Sequence, residues 1–454
     1  MIFKKPLPSF HFKMNRVEKH NLFQFALQLK MDSIRNLFSS KLTRKGTLSL
    51  IDQGLVSATN FLTGVFVGRY CTKEEYGLYM LCFTIILYLI ELQNRLLSIP
   101  YTYFWPRLKQ SIKSKYTGSI YIHQFFLSIN AILALLFIGP YITNLLGLEK
   151  LTPVLRTLAA VIFFVLVKEH LRKLLLAQLS MFRAFILDSC VAVLQIGGLL
   201  IILKLGMLSS TSTFFVMGLV STIITLPLIL TMRKSIVPSR NRVLPDLRRN
   251  WVYGKWLLFG SIFYFASTNL YHWILASSSG ASATGILAAC LSVIFLANPI
   301  VLGFANFVGP AAVHVLTENG IQALRAFIRK AVIFLTITMG LFSFAIFIFG
   351  ETLLVSIYGE KYNGYGFMLA ILMISFFIAT VTSLYDLALC ALGRADANFK
   401  FNLVALLTTI SLGFWLVRHF GLIGAAYGIL SSNALASIVR YFIYTRAIHA
   451  YHES

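Results

Sequence analysis

From Thr47 onward the chain is a succession of apolar runs, each about the 20 residues a helix needs to cross a bilayer. They fall at 47–69, 76–99, 118–139, 153–176, 184–204, 210–231, 252–275, 283–307, 327–349, 366–391, 399–417 and 423–445. A water-soluble core cannot absorb so many. Of the 454 residues 57% are hydrophobic and 12% charged, against roughly 25% charge in soluble domains. Apolar and polar residues do not alternate with period 2, which argues against a membrane barrel. The sequence therefore predicts an all-α polytopic membrane protein of about 12 transmembrane helices.

The charges test this count. The formal net charge of +24 suggests nucleic acid until its distribution is read. With the amino terminus in the cytoplasm, 33 of the 40 Lys and Arg fall in inner segments and 7 in outer ones. That is the positive-inside pattern, and a wrong count would scramble it. Both termini are expected in the cytoplasm. The basic residues then face the anionic inner leaflet, so membrane lipids replace nucleic acid as the expected partner.

The basic, proline-containing stretch 233–250 reads as a cytoplasmic linker between two six-helix lobes, 47–232 and 251–447, followed by a short tail, 448–454. Residues 1–46 form a basic amphipathic extension, with Met14 and Met31 as alternative starts. No cleavable signal peptide is expected. The lobes resemble each other weakly. Aligning 76–89 with 284–297 sets Gly77 on Gly285, Cys82 on Cys290 and Ile86 on Ile294. Such a parallel repeat, facing its copy across a cavity, is a transporter plan.

Between the first two runs lies a short polar knot, VGRYCTKEEYGLY, Val67 to Tyr79. It resembles the first outer loop of the polysaccharide transporter family. Residues 391–442, with the bend GLIGAAYG, resemble that family's last two helices, and the resemblance spans about residues 45–447. The family is part of the multidrug/oligosaccharidyl-lipid/polysaccharide exporter superfamily. The resemblance implies a flippase of the bacterial plasma (inner) membrane. It would carry undecaprenyl-diphosphate-linked oligosaccharide from the inner to the outer leaflet by alternating access, for O-antigen, capsule or exopolysaccharide, beside a polysaccharide polymerase. In the knot, Gly68 and Gly77 are expected to supply turn dihedrals. Arg69 and Lys73 with Glu74 and Glu75 are expected to be solvated pairs.

Ionisable residues within a span are costly and usually face a cavity. A diphosphate head group calls for arginines, which stay charged and bind phosphate with a fork of donors. Arg95, Arg172, Lys173 and Arg394 are the expected head-group contacts. Asp52, Glu91 and Asp386 are candidates for coupling to protons or sodium. Glu91 and Arg95, at i and i+4, can also pair with each other. His272 is expected at an interface.

No catalytic constellation, nucleotide loop or metal-ligand spacing appears, so neither enzyme activity nor a cofactor is expected. The five cysteines, at 71, 82, 190, 290 and 390, include no CxxC and read as buried free thiols. A multidrug or organic-cation exporter of the same fold would favour an acidic cavity. An integral-membrane glycosyltransferase could use Glu74 and Glu75, but it usually carries a longer outer loop. A non-transporting scaffold would need no cavity charge.

Overall fold

The computed structural model describes residues 41–232, 237, 239–394 and 396–453. The amphipathic extension therefore lies outside the described residues, apart from the start of the first helix. The helices are α1 (Lys41–Tyr70), α2 (Lys73–Gln93), α3 (Ile99–Phe104), α4 (Gln110–Leu133), α5 (Gly139–Leu145), α6 (Leu151–Ala177) and α7 (Met181–Lys204). Then follow α8 (Ser210–Met232), α9 (Arg240–Ser279), α10 (Ala281–Ile294), α11 (Asn298–Tyr358), α12 (Gly366–Ala391), α13 (Asp396–Thr408) and α14 (Phe414–Glu453). No strand occurs among the described residues.

Nine helical stretches among the described residues are long and apolar enough to cross a membrane. Helix α9 is less apolar, because its second half carries Asn269, His272 and several hydroxyls. The expected linker is helical from Arg240. Two stretches are too long for one crossing. Straight, the 61 residues of α11 would reach about 90 Å, three times the apolar thickness of a bilayer. Gly320, with φ 79°, breaks α11, and Gly421, with φ 56°, breaks α14. Only glycine enters that region without a steric cost.

Burial is inverted relative to a soluble protein. Asp52, Arg172 and Asp188 are each 4% exposed or less, while Phe137 and Phe347 are 73% and 72% exposed. The apolar belt is the lipid-facing surface, and the charges lie inside the bundle. Among the thiols, Cys71, Cys82 and Cys290 are buried, but Cys190 and Cys390 are exposed.

Within the first half α1 packs on α7, and α6 lies between α4 and α8; within the second, α12 packs on α11 and α14. The halves meet chiefly where α2 crosses α10 and where α9 lies against α4. Helices in lipid gain little from apolar burial, so close backbone approach matters. This corrects the role expected of two glycines. Gly68 and Gly77 both lie in helices and turn nothing. A Cβ on Gly68 would lie 2.5 Å from the Tyr358 ring, and one on Gly77 would lie 1.8 Å from the Ala281 carbonyl oxygen.

Three π-helical turns among the described residues, Asn94–Ser98, Ala134–Ile138 and Thr409–Gly413, interrupt long helices. The first two precede Pro100 and Pro140, whose missing N–H frees a carbonyl that the wider turn accommodates. The first carries Arg95 and connects α2 to α3.

Candidate functional site

At the end of the molecule where α1 meets α2, the polar knot binds across the halves. The Arg69 guanidinium donates to the carbonyls of Ser356 and, at 2.9 Å, Ile357, at the carboxy end of α11. Lys361 returns the contact, donating to the carbonyls of Cys71 and, at 3.0 Å, Arg69, at the carboxy end of α1. Each cation thus satisfies orphan carbonyls at the negative end of the other half's helix. Lys73 Nζ reaches the Tyr365 hydroxyl at 3.2 Å. Below them Tyr76, Tyr358 and Tyr362 form a buried aromatic plug, the Tyr76 and Tyr358 rings 5.7 Å apart and the Tyr358 and Tyr362 rings 5.4 Å apart.

The acidic residues of the knot do not pair with its cations. Thr72 caps α2 by accepting from Glu75 N at 3.1 Å. The Glu75 carboxylate accepts from Ser210 N at 2.7 Å and Ser210 Oγ at 2.6 Å, capping α8. Glu74 takes Lys150 at the surface. The expected pairing of these charges with one another therefore fails: Arg69, though exposed, and half-buried Glu75 are each committed to a helix end. Period and composition could not show this, because both partners are remote in sequence.

The other end of α2 opens into a cavity of about 370 Å³ lined by Glu91, Asn94, Arg95, Ser98, Thr102 and Lys173, with Ile99, Leu176 and Ala177. Three of the expected site residues meet here. Arg95 Nη2 lies 2.6 Å from Glu91 Oε1, with the two side chains 31% and 27% exposed. Lys173 reaches into this lining from α6, where its charge also acts on Glu169. Two cations against one carboxylate leave a net positive lining. The π-turn offsets Arg95 from the regular helix, and Gly254 of α9 packs on its carbonyl: a Cβ there would lie 2.4 Å away.

The other expected residues lie elsewhere. Arg172 does not line this cavity. Its Nη2 donates to Asp52 Oδ2 at 2.8 Å and its Nε to Asp188 Oδ2, forming a buried triad of α1, α6 and α7. Both edges of its guanidinium are taken. Asp386 of α12 lies 2.7 Å from Arg440 Nε of α14, and Arg440 also donates to Thr382 at 2.9 Å. Arg394 is exposed and pairs with Asp396 at 3.0 Å beside Lys400. His272 is buried within the bundle, not at a surface. The sequence reading missed Arg440 as the partner of Asp386, and it missed the triad. In both cases the signal was present as opposite charges at similar depths in separate spans. No cluster of three His, Cys, Asp or Glu able to hold a metal occurs among the described residues.

The fold is that of known transporters. The chain superposes on the inward-facing conformation of a multidrug resistance MATE family transporter of the MOP superfamily with a TM-score of 0.73, at 15% identity over 88% of this chain and 96% of that one. An outward-facing conformation of a MATE family transporter gives 0.59, at 15% identity over 91% and 96%. In sequence, 120 residues are 28% identical to the capsular polysaccharide biosynthesis protein CapF of Staphylococcus aureus, a match spanning 26% of this chain and 30% of that protein. A family model described as "Polysaccharide biosynthesis protein" matches residues 108–366, more than half of the chain, and the protein belongs to this family.

Proposed function

We propose that this multi-pass membrane protein flips undecaprenyl-diphosphate-linked oligosaccharide from the inner to the outer leaflet of a bacterial plasma membrane. The observation that carries the reading is the positively lined cavity of Arg95 and Lys173, at the end of α2 remote from the sealed knot. In this reading the molecule faces the cytoplasm, closed outside by Arg69, Lys361 and the tyrosine plug. The overlap with an inward-facing relative supports that assignment. The units 47–232 and 251–447 rock as two six-helix lobes, with both termini inside.

Arg95 and Lys173 hold the diphosphate, and Glu91 keeps Arg95 oriented until cargo arrives. Arg172 is reassigned from cargo binding to holding Asp52 and Asp188, whose protonation or sodium binding would couple the cycle. Asp386 with Arg440 is the corresponding pair of the second lobe, and Arg394 is a surface charge. All of these roles belong to a transporter; the polymerase that uses the product is the expected neighbour in the pathway.

The deciding experiment is the structure and leaflet of the lipid intermediate in a deletion strain. Complete repeat units trapped inside, with less surface polysaccharide, support flipping. Truncated units would mark a glycosyltransferase, and complete units already outside rule the reading out. Unchanged polysaccharide with altered dye efflux would mark a drug exporter.

A further inference from the structure

A second and larger cavity, about 1050 Å³, lies between α3 and the first turns of α9. It is lined by Tyr103 and Phe104 of α3, which touch Tyr253 and Arg249 of α9 at its base, and by Leu244, Pro245, Arg248 and Val252. It is distinct from the Arg95 cavity yet adjoins it: Ile99 and Thr102 of the short helix α3 face the smaller cavity, and Tyr103 and Phe104 face this one.

Its charge is unbalanced. Arg242 and Arg249 share the single carboxylate of Asp246, at 3.1 and 3.2 Å. Arg248 is exposed and has no partner among the described residues. Three guanidiniums thus face one carboxylate. Arg249 is held in place by the faces of Phe104 and Tyr116, 4.6 and 4.7 Å from their ring centres. Its side chain is 31% exposed, so part of the guanidinium stays open to the groove. Around these charges the surface is apolar: Leu244 is 73% exposed and Val252 56%, and Tyr103 stacks on Tyr253 with centroids 4.7 Å apart.

Arginine forks beside exposed aliphatic and aromatic side chains suit one class of ligand, a phosphate head on an apolar tail. We infer that this groove is a docking site for an anionic phospholipid of the inner leaflet, with Arg248 and Arg249 on the phosphate and Leu244, Val252 and Tyr103 along the first tail carbons. The site does not depend on which cargo is flipped. Its position across α3 from Arg95 also makes it a lateral approach to the smaller cavity.

The test is native mass spectrometry of the full chain in detergent, titrated with phosphatidylglycerol or phosphatidylcholine. The first phosphatidylglycerol should bind about tenfold more tightly than phosphatidylcholine, and R248Q/R249Q should abolish the difference. R248Q alone removes no hydrogen bond or ion pair among the described residues, so it should fold normally and still lose several-fold. E91Q/R95Q should keep the lipid preference, which separates this site from the cargo cavity. An unchanged preference in R248Q/R249Q overturns the inference, as does its loss in E91Q/R95Q. Displacement of the lipid by millimolar inorganic diphosphate would make this a soluble-phosphate site and also overturn it.

Discussion

Gly77 and Gly285 meet where α2 crosses α10, and each leaves room for the other helix's backbone. A Cβ on Gly77 would fall 1.8 Å from the Ala281 carbonyl oxygen; one on Gly285 would fall 2.2 Å from that of Lys73 and 3.0 Å from Gly77 N. The same 208-residue offset relates Lys73 to Ala281 and Gly77 to Gly285. The contact is therefore reciprocal, as a repeat packed on its own copy requires. Since these atoms are backbone, a methyl group cannot be relieved by a rotamer change. G77A and G285A should each cost about 1–3 kcal/mol, seen as a lower midpoint of thermal unfolding in detergent. G197A, at a helical site with nothing within 4 Å, should be neutral or slightly stabilising. Equal behaviour of all three variants would show that the crossing does not depend on the two glycines.

That pair also shows what the sequence made legible. The apolar runs and the charge asymmetry specify an all-helical membrane protein, and aligning the halves brought Gly77 onto Gly285. The alignment could not say that they touch, and the turn role assigned to Gly77 was wrong because glycine serves close packing as readily as positive φ. The site was legible in part. Glu91, Arg95 and Lys173 converge because they share one depth on neighbouring helices. Arg172 sits one residue before Lys173 but points to another face of α6, about 100° around the helix. There it meets Asp52 and Asp188, which are 120 residues before it and 16 after it. A single sequence does not reveal that pairing.

The seal at Arg69 and Lys361 should control access to Cys71. Its thiol donates to the Leu208 carbonyl at 3.4 Å and is buried. Burial, and then the Glu75 charge, push its pKa from 9.0 up to about 11, with Lys361 opposing. At pH 8 it then holds about a hundredfold less thiolate than an ordinary thiol. Labelling by an impermeant maleimide, in a C190S/C390S background, should be slow and should accelerate as pH rises past 9. R69Q/K361Q should speed it at pH 8. Losing Lys361 alone would raise the thiol pKa further and slow the reaction, so acceleration reports opening of the seal. Unchanged or slower labelling would show that these cations do not hold it closed.

Arg172 and Arg95 should separate folding from transport. R172A leaves Asp52 and Asp188 buried without a counter-charge, which costs about 3–5 kcal/mol, so membrane levels should fall steeply. The cavity pair is partly exposed, and E91Q/R95Q keeps its volume without an orphaned charge. That variant should reach normal levels yet lose roughly tenfold to hundredfold in cargo affinity, the scale of one or two charged contacts. R95K should recover part, because lysine restores charge without the fork. Full transport by E91Q/R95Q would make the pair structural and take Arg95 out of the cargo site.

The topology carries the last prediction. The seal closes the cavity from outside only if the knot faces outward, and the basic groove of Arg248 and Arg249 meets the inner leaflet only if α9 begins in the cytoplasm. Single cysteines at 73, 150, 279 and 361 should therefore label from outside intact cells with an impermeant reagent, and cysteines at 115, 239 and 320 should not. Position 320 is the most informative, because Gly320 divides α11 into two stretches. If both cross, 320 lies inside while 279 and 361 lie outside. If α11 crossed once, 279 and 361 would fall on opposite sides. Labelling of 239 from outside would invert α9 and place the arginines of its first turns away from the anionic leaflet. The two-lobe arrangement and the lipid groove would then fall together.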